Sequence, residues 1–419
     1  MKLLADDEAR QSIRNALYQT LIVEAAAGTG KTSELVQRIV AVLAAGRTTV
    51  SRMVAVTFTE KAAGELKLRL RAELEKACGR THPGDARRQP LQEALKHLEE
   101  AQVNTIHGFC ADLLRERPVE ARVDPQFRVM TEPEAERLYG RVFDSWLQDQ
   151  LEEPPPGLRR ALRRDPSFRF DDTAAARLRR AGWTLCTWRD FPTSWDRPPL
   201  DREAEADRLI DAVHRFAELT ERCARKDSDS LYRTTAAARR VSRGARFAEA
   251  VRQRDHDGLE AALVALAGDR DLGGLKGFSS QYGPGLSRAE VTQALASLRE
   301  QLQSFARDAD ADLAAWLRDE LWETIGRYEA AKARSGCLDF IDLLLKARNL
   351  VRDNPGVRAD LQQRFTHLFV DEFQDTDPLQ AEILLLLACA EPDCADWRAV
   401  RPVPGKLFLV GDPKQSIYR

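Results

Sequence analysis

Nowhere in this 419-residue sequence is there an apolar run long enough to cross a bilayer, which takes about 20 residues. The greasiest stretch, "AEILLLLACA" (381–390), stops well short. Net charge is all but missing, with 64 Lys and Arg against 66 Asp and Glu. That balance removes any argument for nucleic acid from total charge, yet a basic groove is still allowed, because a field depends on where charges sit. CxxC pairs are missing too. The seven cysteines, at 78, 110, 186, 223, 337, 389 and 394, are scattered, and no His stands at zinc-ligand spacing from Cys389 and Cys394. This predicts reduced thiols and no metal held by cysteine. The opening "MKLLADDEARQSI" has acids where a secretory signal needs an apolar core. These absences predict no membrane span and a cytoplasmic location. Self-similarity at a period of about 20 to 50 residues is also lacking, which excludes a solenoid.

What is present, 43% hydrophobic and 31% charged residues, describes a helix-rich globular chain long enough for about two or three domains. The first segment alternates short apolar runs with amphipathic stretches. "TLIVEA" (20–25), "RMVAVTFT" (52–59) and "AQVNTIH" (101–107) read as strands. Each leads into a helical pattern, "GKTSELVQRIVAVLAAG", "EKAAGELKLRLRAELEKACG" and "GFCADLLRER". Such alternation predicts a parallel sheet covered by helices. From 125 to 334 strands nearly vanish and Arg, Ala, Leu and Glu recur at helical spacing, with breaks at "EEPPPG", "TSWDRPP" and "GGLKGFSSQYGPG". The alternating pattern then resumes with "THLFVDE" (366–372) and "KLFLVGD" (406–412). The expected fold class is α/β: one parallel-sheet domain over 1–124 and 335–419, interrupted by an all-helical insertion over 125–334.

The chemistry concentrates at two places. "EAAAGTGKTSEL" (24–35) follows a strand and opens a helix. Small residues let backbone N–H groups turn inward around phosphate, and the helix N-terminus adds its dipole. Candidate phosphate-binding residues are therefore Ala25, Ala26, Ala27, Gly28, Thr29, Gly30, Lys31, Thr32 and Ser33. Lys31 would reach the β- and γ-phosphates, and the Thr32 hydroxyl would hold Mg²⁺. The strict pattern wants Gly at 25, where this chain has Ala25. In "HLFVDEFQD" the apolar run Leu368, Phe369 and Val370 directly precedes two acids at what would be the carboxyl end of a buried strand, where ligands of open parallel sheets bind. Asp371 would hold Mg²⁺ through water, and Glu372 would polarise a water for attack on the γ-phosphate.

The strings "AAAGTGKT", "AVTFTEKAAGELKLRL", "VNTIHGFC", "VDEFQDTDPLQ" and "GDPKQSIYR", taken together and in this order, resemble the UvrD/Rep group of superfamily 1 DNA helicases. "TIHGFC" and the long helical segment look more like the RecB/AddA branch. The first loop position is commonly Ala in that family, so Ala25 fits. The resemblance implies an ATP- and Mg²⁺-dependent 3′→5′ motor on DNA, single-stranded or at a single/double-strand junction, serving repair or recombination. A partner subunit of a RecBCD/AddAB-like complex would fit it. It also implies that Gln374 and Gln415 sense the γ-phosphate, and that Thr57, Phe58, Thr59, Thr105, His107 and Tyr418 meet DNA. Stacking of bases on aromatics tolerates any sequence, as a translocating motor requires. Phe58 has a second reading as core, since it alternates with Val54 and Val56, and His107 a second reading as a helix-start residue. "RRVSRGAR" (239–246) reads as a phosphate-holding run or as a solvated helix face. The Gln that reads adenine in the family falls on Ala9 here, with Gln11 two residues on, and Ser33 stands where some members have Arg. In the family a second RecA-like domain follows "GDPKQSIY" and supplies arginines across the cleft, so the chain is expected to be the front of a longer motor, weakly active alone. The alternative is a non-catalytic DNA-binding or scaffold protein on the same fold. Such a protein would be expected to have lost Lys31, Asp371 or Glu372, all of which are present.

Overall fold

Five apolar runs line up as one parallel sheet. They are β1 (Leu21–Glu24), β2 (Met53–Thr57), β3 (Gln102–Thr105), β4 (His367–Val370) and β5 (Leu407–Gly411), in the order β1-β5-β4-β2-β3. The computed structural model describes residues 6–26, 28–164, 173–197, 199–251, 255–272, 281–391 and 393–416. The chain divides into two units, 1–132 with 332–419, and 133–331.

In the first unit β2 and β4 are buried at every position while the edge strands β1 and β3 are half-open. This is why the central strands read as continuous apolar runs. Val54, Val56, Leu368, Val370, Leu407 and Leu409 pack on one side, against α5 (Ile106–Glu116), α6 (Phe340–Asp353) and α8 (Pro378–Ala388). Met53, Ala55, Phe369, Phe408 and Val410 pack on the other, against α2 (Lys31–Ala44) and α3 (Glu60–Arg80). On α3 the buried residues Leu66, Leu70 and Leu74 recur every four positions, one stripe of a helix. Truncating one of them to Ala would cost about 2–5 kcal/mol. Helix starts are capped by side chains the sequence supplies: Thr59 accepts from Ala62 N at 3.1 Å, and Asp377 accepts from Gln380 N at 2.8 Å ahead of Pro378.

Three features of this unit lie outside the sequence reading. α1 (Asp7–Asn15) precedes β1, α4 (Arg88–Lys96) precedes β3, and α7 (Pro355–Arg364) precedes β4. Residues 128–129 pair in parallel with 337–338. The contact division therefore falls at 132 and 332, where the sequence alone puts 124 and 334.

The second unit is built of helices, among them Arg202–Glu221, His256–Ala267 and most of the 47-residue helix Arg288–Arg334. Among its described residues it departs from the all-helical expectation where Gln281–Gly283 pairs antiparallel with Leu286–Ser287 around Gly285 at φ +62°. Its interior holds a charge cluster. Fully buried Glu260 accepts from Arg160 Nε at 3.1 Å and from Arg202 at 3.0 Å, and also pairs with Arg164. Arg160 in turn reaches Asp312 at 2.6 Å. Within "RRVSRGAR", Arg239 is buried and donates to the Thr235 hydroxyl at 2.9 Å and the Tyr232 carbonyl at 2.7 Å. At this position the run serves the interior rather than solvent or phosphate.

Candidate functional site

Every strand of the sheet points its carboxyl end at one edge, and the turns leaving β1, β4 and β5 meet there. The turn after β1 is anchored by Ala25 N donating to Gly411 O at 3.1 Å. Gly28 at φ +74° and Gly30 at φ +89° hold left-handed conformations that only glycine adopts without cost. Gly30 caps α2 without a side chain, which leaves the first N–H groups of α2 directed outward for an anion. Arg10 on α1 donates to Thr29 O at 2.8 Å and to Glu34 at 2.8 Å, and Arg14 joins at Glu34. This clamp ties α1 to the turn. It went unseen in the sequence because its members come together only in three dimensions.

At the start of α2, Lys31 is buried and its Nζ lies 3.5 Å from Glu372 Oε2. The Thr32 hydroxyl donates to Asp371 Oδ2 at 3.1 Å. These pairs join residues over 330 positions apart in the chain. Asp371 is itself fixed by Glu372 N donating to its Oδ1 at 3.1 Å, and its own N–H donates to Val56 O at 2.9 Å. Burial, and then the neighbouring Glu372 charge, hold the Asp371 carboxyl above its ordinary range, while the Thr32 hydroxyl and Lys31 pull the other way. Glu372 has φ +55°, one of two non-glycine residues with positive φ among those described.

The two predicted glutamines belong to the same assembly. Gln374 Nε2 donates to Glu372 at 2.7 Å, and its side-chain oxygen Oε1 accepts from Asp412 N at 2.8 Å. Gln415 donates to the Asp412 carboxylate, and the Ser416 hydroxyl donates to Gln374 O at 3.1 Å. Burial raises the Asp412 carboxyl, but the bonds from Gln415 and Lys414 N, with Lys31 nearby, bring it below its usual range. A chain of contacts thus runs Glu372–Gln374–Asp412–Gln415. Asp412, the link between the two glutamines, was not among the candidates, although "GD" after a strand signalled it.

The residues expected at DNA separate into kinds. Phe58 is 40% exposed, so the core reading fails for it. Thr59 is spent on capping α3. Thr105 is buried, caps α5 through Gly108 N at 3.1 Å, and donates to Glu60 at 2.8 Å. His107 stands edge-on to Phe340 with centroids 5.6 Å apart, and burial lowers its pKa against the pull of Asp377 and Glu60. Thr57 is 3% exposed and its hydroxyl oxygen has no partner among the described residues. Ala27 and Tyr418 lie outside the described residues. Ala26 accepts from the Thr29 hydroxyl at 2.7 Å, and Ser33 lies in the first turn of α2. Ala9 and Gln11 both sit on α1.

The class these features define is an α/β protein whose parallel sheet sets a glycine turn and lysine opposite an acidic pair at its carboxyl edge. Residues 5–419 match the model of the UvrD/REP helicase N-terminal domain, and the chain belongs to that family. It is 28% identical over 454 positions to an ATP-dependent helicase/nuclease subunit of Pediococcus pentosaceus, covering 99% of this chain and 35% of that protein. The protein of the same name from Natranaerobius thermophilus is 26% identical, with 99% and 34% covered. That from Geobacillus kaustophilus is 30% identical, with 95% and 34% covered. The chain spans about a third of the length of these relatives. Among the described residues no helix is long and apolar enough to cross a membrane.

Proposed function

We propose that this chain is the ATP-binding and DNA-contacting front portion of a 3′→5′ DNA translocase and helicase, of the kind its relatives' names describe, working in repair or recombination. The observation that carries the reading is the meeting of Lys31 and Thr32 with Glu372 and Asp371. Nothing in the packing of the core needs a lysine and three polar groups gathered at the rim of a sheet. A triphosphate with a divalent cation needs all four.

Lys31 would neutralise the β- and γ-phosphate oxygens, and the N–H groups opening α2 would cradle them. The hydroxyl of Thr32 and the carboxylate of Asp371 form an oxygen donor pair suited to Mg²⁺, and a raised carboxyl pKa is the signature of a buried acid that a cation would relieve. Such a cation would offset charge on the transferring phosphoryl group. Glu372 would take the proton of an attacking water, its carboxylate held by a hydrogen bond from Gln374. The Gln374–Asp412–Gln415 chain would pass the state of the γ-phosphate to the segment that follows β5. Phe58, exposed at the end of β2, would stack on a base.

The domain reading belongs to the same proposal: a RecA-like fold with 133–331 as an accessory insertion resting on duplex DNA. The relatives are named as subunits and as nucleases, which makes a second protein, and a nuclease elsewhere in the longer polypeptide, part of it. The test is Lys31→Ala. It should weaken Mg²⁺-dependent binding of ATP to this chain about 10- to 100-fold and abolish DNA-stimulated phosphate release by the longer polypeptide. Release that persists unchanged ends the reading.

A further inference from the structure

Thr57 is the last residue of β2, and its hydroxyl oxygen is sealed from solvent without a partner among the described residues. That is an unusual condition, since a buried polar atom left unpaired costs free energy that folding does not return. Val56 pairs with Val370 in the ladder, and Asp371 N donates to Val56 O. The next residues, Thr57 and Asp371, are therefore cross-strand neighbours. Side chains alternate along a strand, and Ala55 and Phe369 share the face that packs on α2. Thr57 and Asp371 continue that face, the one from which Thr32 reaches Asp371.

We infer that Thr57 is a positioning residue of the nucleotide site: its hydroxyl completes its hydrogen bonding only when nucleotide and divalent cation are bound, by holding the water shell beside Asp371. This rests on the nucleotide reading above and moves Thr57 from the DNA-contacting set to the phosphate side. Phe58, the next residue, is exposed, so one peptide unit at the end of β2 joins a base-stacking ring to the acids. An orphan hydroxyl explains this local sequence better than packing does. Valine has nearly the same shape, belongs in strands and would leave no unpaired atom.

The experiment uses this chain and a fluorescent ATP analogue, titrated with Mg²⁺ or with EDTA, on the wild type, Thr57→Val, Thr57→Ser and Lys31→Ala. Thr57→Val should melt higher than wild type without ligand, because the orphan atom is gone. Its ratio of affinities with and without Mg²⁺ should fall about three- to tenfold, the worth of one hydrogen bond. Thr57→Ser should keep the wild-type ratio. An unchanged ratio in Thr57→Val, beside wild-type binding that depends on Lys31, overturns this inference and leaves the nucleotide reading standing. A lower melting point for Thr57→Val overturns it as well, since the hydroxyl would then be making a structural bond. Wild-type binding that ignores Lys31 overturns both.

Discussion

The two units bury charge in opposite ways. In the helical unit Glu260 is wholly enclosed and meets three arginines, one of which reaches Asp312 besides. In the sheet unit Lys31 and Asp371 are also buried, yet Lys31 touches Glu372 only at 3.5 Å, the Thr57 hydroxyl has no partner among the described residues, and Glu372 stands in a left-handed conformation. Charges of the first kind satisfy one another, and removing one member leaves its partners stranded in a poor dielectric. Charges of the second kind keep unused capacity. Burial alone therefore does not distinguish a brace from a site; the completeness of pairing does.

The sharpest way to break this contrast is Glu260→Ala. The buried Arg160 and the partly buried Arg164 and Arg202 would lose their common anion, and the loss should be about 3–5 kcal/mol in denaturant unfolding. If the variant is as stable as wild type, the cluster is no brace. Lys31→Ala should do the reverse, leaving the fold intact by thermal melting while weakening Mg²⁺-dependent ATP binding about 10- to 100-fold, the range for a charged hydrogen bond. A titration lies between these. Burial, and then Arg47, Arg38 and Lys406, hold the His367 pKa down at about 4. A histidine depressed when folded takes up its proton more readily when unfolded, so stability falls as pH drops from about 6.5 towards 4. Melting at pH 5 against pH 7 should show a loss of about 2 kcal/mol, and His367→Phe should remove most of it. The smallest effect is expected from Arg10→Ala. Arg14 still holds Glu34, so at the glycine turn it is the tether to Thr29 O that is lost, and ATP affinity should drop about two- to threefold.

Much of the sheet unit was legible because its signals are local. Three apolar residues before "DE", or a strand ahead of "GTGKT", announce an element and a candidate site within ten residues. What escaped depends on distance in the chain. The strands at 128–129 and 337–338 are too short for any period, and only their meeting defines them. Arg239 lies in a basic run that reads as solvated, and only the placement of Thr235 and Tyr232 shows it buried. The place of Thr57 follows from the register of β2 against β4, which no local pattern encodes. The clamp of Arg10 and Arg14 on Glu34 joins two helices whose relation rests on the core between them.

The backbone at Glu372 carries a practical warning. A left-handed residue with a Cβ costs on the order of 1 kcal/mol, so glycine or asparagine at this position would make a hardier molecule. A campaign that ranks variants by heat resistance alone would be drawn to position 372 and record a gain there. What it selected would have traded the carboxylate for comfort.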